Sequence, residues 1–236
     1  MWILALSFGL YLFSLWKRPL FYAGLALQTA YIISRGLELS RLPLVGAHDT
    51  LVFMTASIAA FAIPVGAALK KKEPFYNITA VSVSVITAFA MTTKQSNHPL
   101  PPVLKTFWFE AHVVLAFMSY ALFGIGAMLG SLYLKDCQDH IEGLGYRAVL
   151  TGYCLFSLSM IFGGIWAYLA WGTYWIWTPK ELWTSILWIF YSFYLHARLR
   201  QWWAGRPMAW LGIIGFGVVM FTYLGVSLLM KSSHSF

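Results

Sequence analysis

About eight apolar stretches, separated by short polar or proline-bearing breaks, limit what this chain can fold into. They lie near residues 1–16, 19–37, 50–69, 75–93, 106–134, 148–170, 183–200 and 208–230. Roughly 20 residues of helix cross the hydrocarbon of a bilayer. In lipid a backbone must satisfy its own polar groups, which a helix does within one segment. The strict alternation of a barrel strand is absent. Composition agrees: 60% of residues are hydrophobic and 10% charged, where soluble domains carry about 25% charged residues. The expected fold is all-α, a polytopic membrane helix bundle of about eight transmembrane helices forming one domain over 1–236. Lys17 and Arg18 follow the first apolar run instead of preceding it, so that run reads as a helix and not as a signal peptide.

Loop charges orient the bundle. Lys17, Arg18, Lys70, Lys71, Lys72, Lys135, Arg147, Arg198, Arg200 and Arg206 fall on one side. Arg35, Arg41, Lys94, Lys105, Lys180 and Lys231 fall on the other. The positive-inside rule makes the first side cytoplasmic and puts both termini outside. The formal net charge of +8 then reports cytoplasmic loops and anionic headgroups of the lipid bilayer. No basic run with interleaved aromatics resembles a nucleic-acid surface, so nucleic acid is excluded as a partner.

The breaks fit this map. HPLPP at 98–102 is a stiff connection that stops any helix before the fifth stretch. KDCQDHIEGLGYR at 135–147 is polar, holds two glycines and reads as an inner loop. Cys137 and Cys154 belong to no CxxC or CxxCH motif. That disfavours a disulfide framework, a zinc site and a covalently attached haem.

The most unusual stretch is WGTYWIWTPKELW at 171–183, on the predicted outer side. Aromatic rings gather at membrane interfaces whatever a protein does, so the stretch by itself supports an interfacial belt as well as a binding shelf. Among the histidines, His112 should lie roughly 9 Å into the fifth helix from its outer end, and His234 follows the eighth stretch, also outside. Two imidazoles flanking flat rings would suit a haem, with nitrogen on either side of the iron. A lone polar histidine near a helix end is as readily an anchor. Spacing leaves both readings open.

Taken together with YSFYLHARL after it, the 171–183 stretch resembles the tryptophan-rich WWD signature of the cytochrome c assembly proteins of the CcsA/ResC type. RLPLVGAHDTLVF at 41–53 resembles the family's segment between its second and third spans, with Asp49 where Glu is usual. HPLPPVLKTFWFEAHVVLAFMSYALF at 98–123 is similar to the stretch in which a histidine opens a long helix. LGVSLLMKSSHSF at 224–236 is similar to the family's closing outer segment. The resemblance implies that His112 and His234 ligate haem iron. It implies that Trp171, Gly172, Tyr174, Trp175, Trp177, Pro179, Lys180, Glu181 and Trp183 form the haem-holding loop. His196 would be a histidine deep in the membrane, roughly 20 Å below Trp183 by helical rise, and so unable to share an iron with an outer pair. The signature normally has Asp where this chain has Thr178, a departure that bears on full activity. Lys180 and Glu181 would face haem propionates or pair with each other.

What the resemblance implies functionally is a haem-handling component of c-type cytochrome biogenesis in the plasma (inner) membrane or a thylakoid membrane. Haem b would be held non-covalently, as substrate or cargo, on the outer, periplasmic or lumenal side. The partners would be apocytochrome c, whose thiols add to the haem vinyl groups, and a CcsB/ResB-type membrane protein. The alternative is a HemX-like protein that affects haem biosynthesis or handling without ligating cytochromes.

Overall fold

The computed structural model describes residues 1–226 and is all-helical, with eight α-helices among the described residues: α1 Trp2–Phe13, α2 Pro19–Leu39, α3 Ala47–Ala68, α4 Glu73–Thr92, α5 Phe107–Asp136, α6 Asp139–Trp171, α7 Pro179–Ala197 and α8 Arg206–Met220. Each corresponds to one expected apolar stretch. Five are long and apolar enough to cross a membrane: α3, α4, α5, α6 and α8 with its continuation to Gly225. At 12 residues, α1 is apolar but short. Gln28 and Arg35 dilute the apolar character of α2, as Lys180, Glu181 and His196 dilute that of α7.

The chain divides into two compact units, Met1–Pro99 and the residues from Leu100 onward. In the first, α1 packs on α2 and α4, and α3 packs on α2 and α4, closing a four-helix ring. Tyr11, Phe21 and Tyr76 meet edge to face in its core, with ring centroids 5.5 and 5.2 Å apart. Beside them runs a buried polar chain. The Tyr11 hydroxyl donates to Gln28 Oε1 (2.7 Å), and Gln28 Nε2 donates to Thr55 Oγ1 (2.6 Å). A lipid-facing helix turns its polar side chains inward, where such bonds cross between helices.

The second unit is built on the antiparallel α5–α6 pair, with α8 against α5 and α7 against α6 and α8. Small residues let the backbones approach. A Cβ on Gly126 would lie 2.6 Å from Val149 Cγ2, and one on Gly152 would lie 3.0 Å from the Phe123 ring. Phe123 also stacks flat on Tyr191 of α7 at 3.6 Å.

The structure corrects the expected inner loop at 135–147. Only Cys137 and Gln138 separate α5 from α6, and Gly143 and Gly145 lie within helix. Cys137 turns into the left-handed region (φ 48°), and its N–H closes on the Tyr133 carbonyl at 2.8 Å. Asp139 and Glu142 then occupy the first turn of α6, where carboxylates complement the helix dipole. Polarity here marks a helix end and not a loop. The proline segment behaves as expected: Pro102–Leu104 forms a 3-10 turn, and Thr106 caps α5 by accepting from Phe109 N–H at 3.2 Å.

Candidate functional site

The tryptophan-rich stretch divides between two helix ends and a seven-residue connection, 172–178. Trp171 is the last residue of α6, because Gly172 adopts φ 75°, a left-handed conformation that costs glycine nothing. Its N–H donates to the Tyr168 carbonyl at 2.8 Å. α7 begins at Pro179, at the first helical position where its missing N–H is no loss. Thr178 is the N-cap: its Oγ1 accepts from Glu181 N–H (3.4 Å), and Glu181 Oε2 accepts from Thr178 N–H (2.9 Å). The same Oε2 also accepts from Ile176 N–H at 3.0 Å. Between these two donors Trp177 is held at φ 59°. Glu181, only 8% exposed, is thus a clasp for the loop's own backbone.

This geometry accounts for the threonine. Position 178 caps a helix, and Thr and Asp both serve as N-caps. Thr178→Asp is therefore expected to leave stability within a few tenths of a kcal/mol, while Thr178→Ala costs about 1 kcal/mol. Thermal unfolding of the purified variants in detergent checks both.

The connection folds back along α6. Tyr174 stacks on Tyr168 at 4.6 Å with planes 12° apart. The Tyr174 carbonyl lies 3.7 Å from where a Cβ on Gly164 would stand. Trp175 and Trp177 meet edge to face at 6.5 Å, while Tyr174, Ile176 and Trp177 present largely exposed apolar surface. Trp183, one turn into α7, packs on Phe221 at 4.6 Å. At the other side Trp171 meets Trp166 (4.9 Å), Trp166 meets Phe109 (5.1 Å), and Trp166 Nε1 donates to the Val103 carbonyl at 2.8 Å. An aromatic file therefore runs from the loop to the start of α5.

His112 lies one turn past Trp108 on α5 and leans on α6. Its Nδ1 is 2.8 Å from the Ser159 carbonyl and 3.1 Å from Ser159 Oγ, and that hydroxyl donates to the His112 carbonyl at 2.9 Å. A carbonyl only accepts, so Nδ1 carries the proton and Nε2 of the neutral ring keeps its lone pair. Among the described residues Nε2 has no hydrogen-bond partner. Gly163, which His112 touches, directly precedes Gly164, which the loop touches. His112 and the loop thus meet neighbouring faces of one turn of α6.

His196 stands apart. It belongs to the last turn of α7, the opposite end from the loop, and is exposed, with Nδ1 2.7 Å from the Ser192 carbonyl. α7 stops at Ala197, one residue past His196 and ahead of Arg198 and Arg200. His234 lies outside the described residues. Among the described residues no group of three His, Cys, Asp or Glu side chains could hold a metal ion. A porphyrin, which supplies four nitrogens of its own, needs no such group.

Sequence reasoning missed a second histidine constellation, within the first unit. His48, wholly buried, has its Nδ1 2.9 Å from the Ala90 carbonyl. By the same logic as before, its Nε2 accepts from the Tyr31 hydroxyl (2.7 Å), whose oxygen accepts from Gln95 Nε2 (2.8 Å). Both nitrogens are engaged, which makes His48 structural. Beside it the buried Arg35 and Asp49 pair at 3.4 Å, and Arg35 Nη2 donates to Asn97 Oδ1 at 2.6 Å. No local motif announces these contacts, since the partners come from α2, α3, the end of α4 and the segment that follows it.

Comparison with known proteins now adds to the geometry. The family described as Cytochrome C assembly protein matches residues 44–234. The "Cytochrome c biogenesis protein CcsA" of Guillardia theta is 33% identical over 93% of this chain and 87% of its own length. The protein of the same name from Prochlorococcus marinus subsp. pastoris is 31% identical over 87% of this chain and 78% of its own. That of Thermosynechococcus vestitus is 29% identical over 88% and 82%. Thr178, His112 and the whole aromatic connection fall inside the matched range, and the chain belongs to the cytochrome c assembly protein family.

Proposed function

We propose that this chain is a haem-handling component of c-type cytochrome biogenesis, holding haem at the outer membrane face for covalent attachment to apocytochrome c. One observation carries the reading: His112 keeps Nε2 open for a ligand, on the turn of α6 against which the aromatic loop folds. Haem is the substrate, bound without a covalent link. His112 supplies one axial nitrogen and His234 the other. The rings of Trp171, Tyr174, Trp175, Trp177 and Trp183 offer apolar faces to a porphyrin, with Gly172, Pro179 and Glu181 fixing the loop that carries them. Lys180, in the first turn of α7, is the cationic side chain nearest in sequence for a propionate. His196 serves a separate inner station, being roughly 20 Å from Trp183 along α7. The thioether chemistry belongs to haem and thiols, and the protein's share is to position them.

The matching topology has eight crossings in a single membrane domain, with both termini and the 171–183 segment outside. The membrane is a bacterial plasma membrane or a thylakoid, and a CcsB/ResB-type protein is the partner. The HemX-like alternative leans on Thr178 standing where the signature has Asp; Thr178 caps α7, a role that an aspartate can also fill.

The test is the visible spectrum of the detergent-solubilised protein. A haem Soret band is expected. In His112→Ala it should fall at least about tenfold at equal protein, since even the loss of a residue behind a ligand costs that much affinity. A wild-type protein unable to retain or take up haem would overturn the reading. Deleting the protein and staining for covalent haem separates the two roles: loss of c-type cytochromes is expected, and their persistence would leave only the HemX-like role.

A further inference from the structure

The proposed ligand His112 is held by two residues of α6 that no motif singles out. Ser159 engages it twice, by its carbonyl on Nδ1 and by its hydroxyl on the His112 carbonyl. In an α-helix the carbonyl of residue 159 already accepts from the N–H of residue 163, so the imidazole shares an oxygen on the helix flank. Side chains normally screen that flank. Here residue 163 is glycine: a Cβ there would fall 2.7 Å from His112 Nδ1 and 2.9 Å from Cε1. The ring reaches the carbonyl only because that Cβ is missing.

We infer that Ser159 and Gly163 are positioning residues, forming a socket that fixes the tautomer of His112 and aims its Nε2 at the iron. The inference rests on the haem-holding reading above and adds what sets the ligand. Metal-bound histidines gain basicity from the acceptor behind their other nitrogen. Here that acceptor is a neutral carbonyl and not a carboxylate. Such a ligand binds iron as a plain imidazole, and the histidine of an incoming apocytochrome is its chemical equal. The socket thus suits a nitrogen that must hold haem and then yield it.

Nitrogen NMR of the haem-free, ¹⁵N-histidine-labelled full chain in detergent tests this, with His112 assigned by its disappearance in His112→Ala. A protonated Nδ1 and a bare Nε2 are expected in the wild type. Ser159→Ala keeps the carbonyl, so the pattern should persist, with haem affinity reduced less than about tenfold. Gly163→Ala should abolish the fixed pattern and lower haem affinity by about 10- to 100-fold. A His112 that is protonated on Nε2 or averaged between tautomers in the wild type would overturn the socket without any need for a variant. So would a Gly163→Ala protein whose pattern and affinity match the wild type. If the pattern is fixed but added haem leaves the Nε2 resonance unmoved, the socket stands and the haem-holding reading fails.

Discussion

Replacing Arg35 by alanine should destabilise the first unit by about 3–5 kcal/mol, the range for removing one partner of a buried ion pair. Arg35 is 5% exposed and Asp49 3%. Without the guanidinium, Asp49 loses its ion-pair partner and keeps only the field of Arg41, Asn97 Oδ1 loses a donor, and the Ser96 carbonyl keeps only Arg41 Nη2. Arg35→Lys should restore only part of the loss, because an ammonium cannot fork between Asp49 and Asn97 as the guanidinium does. Removing both charges, in Arg35→Leu with Asp49→Leu, should cost less than the sum of the single changes, since neither then strands the other. Unfolding midpoints in mild detergent decide the matter. A shift below about 1 kcal/mol for Arg35→Ala would class the pair with exposed ones and refute its role.

Glu181→Ala should undo the aromatic loop while sparing the helices. Two backbone N–H groups, those of Ile176 and Thr178, bond to one carboxylate oxygen. Leaving a buried donor unmatched costs about 1–3 kcal/mol, and Trp177 would lose the constraint on its left-handed backbone. The expected signature is new protease cleavage within 172–178 with unchanged helical circular dichroism. Glu181→Gln retains an acceptor oxygen but loses the charge that strengthens these bonds, and should give an intermediate cleavage rate. If Glu181→Ala were as resistant as the wild type, the carboxylate would not be what holds the loop.

The positions of the helices could be read from the chain because lipid forces apolar runs of one length, and all eight stretches became helices. Their ends were harder. The 139–147 segment looks like a loop by polarity and glycine content, yet it is helical, and a Cβ on Gly145 would stand 3.5 Å from Leu129 Cβ, an ordinary contact of α6 against α5. One end carries a local signal of its own: T-P-K-E at 178–181 is a capping box with proline at the first helical position. It explains Thr178 without reference to haem. Of the site, the loop residues and His112 are contiguous with recognisable segments. The hold on His112 was not legible, because Ser159 and Gly163 reach it across 47 and 51 positions of chain. Separations of 17, 47 and 64 positions hid Tyr31, His48 and Gln95 from one another in the same way.

The two-residue turn at Cys137–Gln138 has a consequence for how the protein is made. It lets α5 and α6 pair as soon as both have left the ribosome, since contacts between chain neighbours cost little loop entropy. His112 can therefore find the Ser159 carbonyl before α7 or α8 is synthesised. That imidazole is set early in the making of the chain.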